Sequence, residues 1–461
     1  MTLVLGIDSS TQSTKALLVD AADGTVVDSR SAPHPPGTEV DPRAWLAAYD
    51  EATAGLRERA EAIAVGGQQH GLVALGDDGE PVRDALLWND TRSADAARTL
   101  VEEMGGPDAC ATAIGSVLVA SFTASKLRWV RDHEPEQAAL VRQVLLPHDY
   151  VSRHASAPGT APFTDRGDAS GTGYFATASG EWRPDLAAAA LGHEVALPRV
   201  APSGSVAAHS AAGQVVAPGT GDNMGAALGL GLLPGDVLVS IGTSGVASTV
   251  SAEPVADGTG TVTGFADAQS GFLPMVTTIN AARILAHQAR WLGVDLGTLS
   301  DLALASVPGA HGVTLLPYYG GERTPNRPTA VGTWTGLTDA TTREDLARAA
   351  FEALLCSLAD GVDHLAATTG DQPRRLLLVG GALNSPALRA LAPAILGRTV
   401  TLPPLGEYVA LGAARQAAWA LAGTDRPPAW PMADAVELEA DPTPHVRDTY
   451  ARLRDRTDTW S

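Results

Sequence analysis

Two aspartates set in glycine- and hydroxyl-rich turns carry the clearest suggestion of chemistry in this chain of 461 residues. Asp8 lies in "GIDSSTQSTKALLVD", where an acid, a run of small hydroxyl residues and a lysine separate two short apolar runs. Backbone N–H groups and hydroxyls in such a turn suit a phosphate, and a carboxylate beside them is tolerable only if a cation lies between. Asp8 is therefore a candidate partner of Mg²⁺, although Asp and Ser also cap ordinary hairpins. A second turn of the same kind, "SIGTSG" at residues 240–245, shifts the balance toward phosphate binding.

Asp222 sits in "GTGDNMGAALG", where a Gly-rich turn runs into a helix of small residues. The helix dipole and free N–H groups are expected to keep it ionised at neutral pH. A carboxylate so placed could orient a sugar hydroxyl and take its proton during phosphoryl transfer, or be a plain N-cap. "GGQQHG" ends a predicted strand with Gln69 and His70, which offer donors and acceptors to a polyhydroxyl ligand. "LLWNDTRS" adds Trp88, Asn89, Asp90 and Arg92, an aromatic face beside polar groups that fits a sugar as well as it fits a loop.

The chain has only two lysines, Lys15 and Lys126, and neither stands in a Gly-Lys-Ser/Thr sequence, so there is no Walker A loop. The protein-kinase motifs are absent too. A formal net charge of -20 disfavours nucleic acid, while a small anion such as ATP can still be held locally. Cys110 and Cys356 have neither disulfide-framework nor zinc spacing. No apolar run approaches the ~20 residues of a membrane span, and the expectation is a soluble cytoplasmic protein.

These candidates need strands and turns to hold them. "TLVLGID", "TKALLVDA" and "GTVVDSRSA" read as a three-stranded meander, followed by a helix in "DPRAWLAAYDEATAGLRERA" and a strand in "AIAVGGQ". "LVALGDDGEPV" reads as a hairpin and "ALLWND" as a strand. The device restarts at "GDVLVSIGTSGVASTV", so two related α/β halves are expected, 1–215 and 216–461, with a cleft between them. "REDLARAAFEALLCSLADGVDHLAA" and "EYVALGAARQAAWAL" are predicted helices, "RRLLLVGGALNS" a buried strand entering a Gly turn, and the final "HVRDTYARLRDRTDTW" an amphipathic helix expected to pack back on the N-terminal half.

Taken in order, these stretches resemble the FGGY family of carbohydrate kinases over nearly the whole chain. "SFTASKLRWVRDH", with Lys126 and Trp129, fits one long family pattern, and "GTWTGLTDATTREDLARAAFE" fits a second. The resemblance implies two actin-like ATPase (ribonuclease H-like) domains. "GQQHG", "LLWND", "LLPHDY", "GTGDN", "SIGTSG" and "YYGGERTP" look most like the members that use ATP to phosphorylate D-xylulose at its 5-hydroxyl.

By the resemblance Asp222 is the catalytic base, Asn223 its neighbour at the sugar, and Gln69 with His70 the sugar-binding pair, with Trp88 and Asp90 beside them. Asp8 would sit near Mg²⁺; Thr11, Gln12, Ser13, Lys15, Gly242, Thr243 and Ser244 would hold phosphates. Gly380, Gly381, Ala382 and Asn384 would cover adenosine. The chain departs from common family usage at Gln69, where Met is frequent, at His148, where Lys is frequent, and at Ala382, where a third glycine is usual. Other expectations are a different ketose or polyol such as ribulose, or a sugar-sensing protein that has lost catalysis. The expected partners are sugar and ATP, with no nucleic acid and no membrane; a homodimer is left open.

Overall fold

The computed structural model describes residues 1–432 and 434–460. The opening apolar alternation does form a meander: β1 (Leu3–Ser9), β2 (Ser13–Asp20) and β3 (Val26–Pro33) run antiparallel in sequence order. After α1 (Arg43–Thr53), β4 (Ala62–Gly67) pairs parallel to β1, and the short β5 (Val215–Val216) and β6 (Thr220–Gly221) both pair parallel to β4. Pro218 lies between β5 and β6 and has no N–H to continue a ladder, which fits the break there.

Period-two alternation sends the two faces of this sheet to different cores. Leu5 and Ile7 of β1 with Ala16 and Leu18 of β2 pack with Trp45 and Tyr49 of α1. Val4, Leu17 and Val19 face the other way, onto alanines 410, 413, 414, 417 and 418.

The second sheet repeats the plan. β7 (Asp236–Ile241), β8 (Gly245–Thr249) and β9 (Phe272–Thr278) are antiparallel neighbours, β10 (Arg375–Val379) runs parallel to β7, and β11 (Val400–Leu402) and β12 (Val436–Leu438) continue the sheet. The chain forms two compact units: 1–232, 252–273 and 406–432 make the first, 233–251, 274–405 and 434–460 the second. The cut expected at 215/216 falls inside the opening segment of the first unit.

Three expectations need correction. Val73–Leu75 has Gln143–Leu145 as its antiparallel strand partner, so the hairpin-like return is short: the Gly76 N–H donates to the Glu80 carbonyl and the Val82 N–H to the Ala74 carbonyl, either side of an isolated Leu75–Pro81 bridge where proline has no N–H to add. "ALLWND" gives a strand only over Ala85–Leu86. The last helix, Pro444–Arg456, packs inside the second unit, where it buries Val446, Tyr450 and Leu453. It is Tyr408–Ala422, late in the chain, that belongs to the first unit, because its small-residue face fits closely against β1 and β4.

Candidate active site

Register brings the first unit's candidates together. Asp8 pairs with Gly66 and Ser9 with Gly67 across β1 and β4, while Thr220 and Gly221 of β6 pair with the same two glycines from the other side. The residues just past those strand ends are Gln68–His70 and Asp222, so Asp8, the Gln69–His70 pair and Asp222 gather at the carboxyl ends of three parallel strands. That edge of an open α/β sheet is where ligands are usually bound.

Asp222 opens α2 (Asp222–Gly229) as its first residue rather than its cap. Its Oδ1 accepts the Asn223 backbone N–H at 2.8 Å and Asn223 Nδ2 at 2.9 Å, and Nδ2 also donates to Gln69 Oε1 at 2.9 Å. The expectation of an ordinary, fully ionised aspartate is corrected here. Burial, with repulsion from Asp8 and Asp168, pushes the carboxyl up to about 7, and the two bonds from Asn223 only partly oppose this. A carboxylate of that basicity can accept a proton at neutral pH.

Asp8 is also raised, to about 6, by burial, against a bond from the Ser10 hydroxyl and the charge of Lys15. Lys15 stands opposite Asp8 in the β1–β2 register and is half exposed, with Nζ 2.6 Å from Glu407 Oε2. Ser10, Thr11 and Gln12 form the turn between these strands and Ser13 opens β2; the Gln12 carbonyl accepts from the His34 N–H at 2.8 Å.

Gln69 is buried, and its Nε2 has no protein partner. Neither amide atom of the neighbouring, fully buried Gln68 has one either. Buried amides in this state call for a hydrogen-bonding guest or water. His70 adopts the left-handed region at φ 68°, with Nδ1 2.7 Å from the Gly171 carbonyl and its ring against Phe122 and Phe265.

Trp88 and Asp90 stand apart from this group in character. Trp88 is exposed, and its Nε1 donates to Thr11 Oγ1 at 2.9 Å, which ties it to the Asp8 turn. Asp90 is raised by burial, but bonds from Arg92 and from Thr38 Oγ1 outweigh that and hold it below the usual range. Its oxygens are therefore occupied by protein. Lys126 is fully buried on Thr123–His133 and donates to the backbone carbonyls of Ala120, at 3.0 Å, and Ser121. Burial lowers it to about 7 despite the charge of Asp90.

In the second unit, Gly242, Thr243 and Ser244 form the turn between β7 and β8. The Gly242 and Thr243 carbonyls accept from Ala282 and Ala281, which leaves an exposed, backbone-rich bend. Gly380 follows β10, beside β7 in the sheet. Its φ of +112° and a Cβ position only 2.5 Å from the Ile241 carbonyl oxygen allow no side chain, so the two turns are locked together by a glycine. Ala382 lies in the 3₁₀ turn Gly381–Asn384 and needs no positive φ, so its methyl is accommodated by the turn itself.

Sequence reasoning missed one group. Asp168, which raises Asp222, belongs to "FTDRGDASG", a stretch not singled out although two aspartates flanking Arg-Gly were its signal.

The FGGY carbohydrate-kinase models match in order, the N-terminal domain over residues 3–229 and the C-terminal domain over 237–421. The chain belongs to the FGGY family of carbohydrate kinases. Among relatives of this FGGY kinase, the xylulose kinase of Streptomyces coelicolor is 45% identical over 95% of this chain and 93% of its own. The xylulose kinase of Escherichia coli is 33% identical over 90% and 89%. The crystal structure of xylulose kinase from Bifidobacterium adolescentis superposes with a TM-score of 0.92, at 45% identity, over 98% of this chain and 99% of that one. The expected fold, two actin-like kinase domains with mixed α/β sheets, is the fold observed.

Proposed function

We propose that this FGGY kinase transfers the γ-phosphoryl group of ATP to the 5-hydroxyl of D-xylulose, with Asp222 as general base. The observation that carries the reading is the Asp222 carboxylate, raised to about 7 and bonded through Asn223 to Gln69 at one strand-end edge. High similarity to several xylulose kinases supports the choice of sugar. Gln69 Nε2 and the half-buried Asp222 and Asn223 offer the donors and acceptors a polyhydroxyl chain requires.

The second unit's Gly242–Ser244 bend and the exposed Gly381 suit a nucleotide, the bend through its backbone and hydroxyls and Gly381 because a Cβ there meets nothing. Among the described residues no group of three or more His, Cys, Asp or Glu side chains is arranged so that it could hold a metal ion. That fits Mg²⁺, which keeps water and phosphate ligands and asks the protein for one or two carboxylates, and Asp8 would hold it. When bound, Mg²⁺ neutralises charge developing on the phosphates. The protein's own steps are to orient the sugar through Gln69, His70 and Asn223 and to receive the hydroxyl proton on Asp222.

No helix among the described residues is long and apolar enough to cross a membrane. The decisive experiment is a coupled ADP-release assay over ketoses, aldoses and glycerol. D-Xylulose is expected to give the highest kcat/KM; a ranking well below ribulose or another sugar overturns the substrate, since one polar group such as Gln69 can move preference by ~1–3 kcal/mol.

A further inference from the structure

His148 is completely buried on α3 (Pro147–Ala155) and meets three equally buried carboxylates. Its Nδ1 lies 2.6 Å from Asp168 Oδ2, and its Nε2 lies 3.2 Å from Asp149 Oδ1 and 3.9 Å from Asp165 Oδ1. Among the described residues no other cation comes within ion-pair distance of these three acids. Four ionisable groups taken from water together cost more than an apolar filling of the same space, so stability alone does not account for them.

The ring's surroundings connect it to three of the sugar-side candidates, Gln69, His70 and Asp222. A Cβ on Gly219, three residues before Asp222, would come 2.5 Å from His148 Cδ2; one on Gly67, two before Gln69, would come 2.9 Å from His148 Cβ. Asp168 lies at the start of the bend whose Gly171 carbonyl meets His70 Nδ1. The side chain thus touches the strand end leading to Gln69, the loop leading to Asp222 and the segment that anchors His70.

We propose that His148 is a positioning residue: a buried imidazolium that, through Asp168 and its packing on Gly67 and Gly219, holds Gln69, His70 and Asp222 in one arrangement. This rests on those residues forming the acceptor site. Burial alone would strip the ring of its proton, but Asp149, Asp168 and Asp165 outweigh burial and raise it to about 10. Burial in turn raises Asp149 to about 6 and Asp165 to about 7, lifts Asp168, and lifts the nearby Tyr174 phenol, which Asp149 and Asp168 also raise. A neutral side chain would leave the acids to take up protons or water, and the three segments would lose their common anchor.

The test compares His148→Gln with His148→Lys in the full chain, by thermal unfolding and by kcat and KM for each substrate. His148→Gln is expected to fold and to lose on the order of 10²-fold in kcat/KM for the sugar, with KM for ATP unchanged. His148→Lys, which restores the charge, should recover most of that loss. Wild-type kcat/KM in His148→Gln, or a folded His148→Lys no better than His148→Gln, overturns the proposal. Should neither variant fold, ¹⁵N NMR of histidine-labelled wild type decides: at about pH 8.5, where ordinary histidines are neutral, one ring must keep both nitrogens protonated, and its absence overturns the imidazolium. Normal turnover in Asp222→Asn would instead remove the acceptor site itself, whereas an inactive Asp222→Asn beside an active His148→Gln removes only this inference.

Discussion

Asp222 is poised by its neighbours: burial, Asp8 and Asp168 raise its proton affinity to about 7, well above the helix-start expectation. A base must be deprotonated, so kcat/KM is expected to rise about tenfold per pH unit below that value and level off above it. Asp222→Asn should remove this limb and on the order of 10²-fold or more of kcat while sugar still binds. The same shift has a stability consequence of opposite sense. A carboxyl raised in the folded state favours folding when protonated, so its destabilising effect grows as pH rises from near 4 to about 7 and is complete above. Asp222→Asn is therefore expected to unfold at a higher temperature than wild type at pH 8, with the advantage shrinking toward pH 5. Near-normal turnover, or a limb that survives the substitution, would take the role of base away from Asp222. Asp8 and Asp222 were legible as single residues because each stands in a distinctive turn. The His148 cluster was not, because its members lie far apart from the turns they support and only burial makes them a unit.

At the level of elements, what the sequence revealed was local. Alternating apolar residues announce β1, β2, β7 and β8, and the glycine turns after them announce the two backbone-rich bends. The return expected at "LVALGDDGEPV" is confined to two bonds across its turn, while tertiary packing chose the strand partner and joined Val73–Leu75 to Gln143–Leu145. The helix carrying Asp222 is likewise set by a remote partner. It crosses Tyr408–Ala422 so closely that a Cβ on Gly412 would lie 1.9 Å from the Gly225 carbonyl oxygen. Gly412→Ala would gain up to ~1 kcal/mol of helix propensity. Overpacking against backbone, which cannot swing aside, costs about 1–3 kcal/mol and should prevail. The expected result is a lower denaturation midpoint together with a lower kcat, since α2 must shift and takes Asp222 with it. A stabilised variant with unchanged kcat would show that the crossing does not position the base.

Over the whole molecule, the repeated sheet plan was readable from the two similar turns, but the route of the chain was not. Nothing in "EYVALGAARQAAWAL" marks which unit its alanines join, because an alanine-rich face fits any close-packed sheet. In the structure, Ala410, Ala413, Ala414, Ala417, Ala418 and Ala420 complete the core formed by Val4, Leu17, Val19, Ala62, Ala64 and Ala217. At roughly 0.8 kcal/mol per buried methyl, these six side chains contribute about 5 kcal/mol at most. That is comparable with the whole stability of an ordinary domain, about 5–15 kcal/mol. A fragment ending at Leu232, the end of the first unit's opening segment, lacks that helix and exposes the apolar face of β1, β2 and β4. It is expected to show no cooperative thermal transition by circular dichroism. Joining 252–273 and 406–432 to it through flexible linkers should restore one. A cooperative melt of residues 1–232 alone would mean that the sheet holds without its late helix.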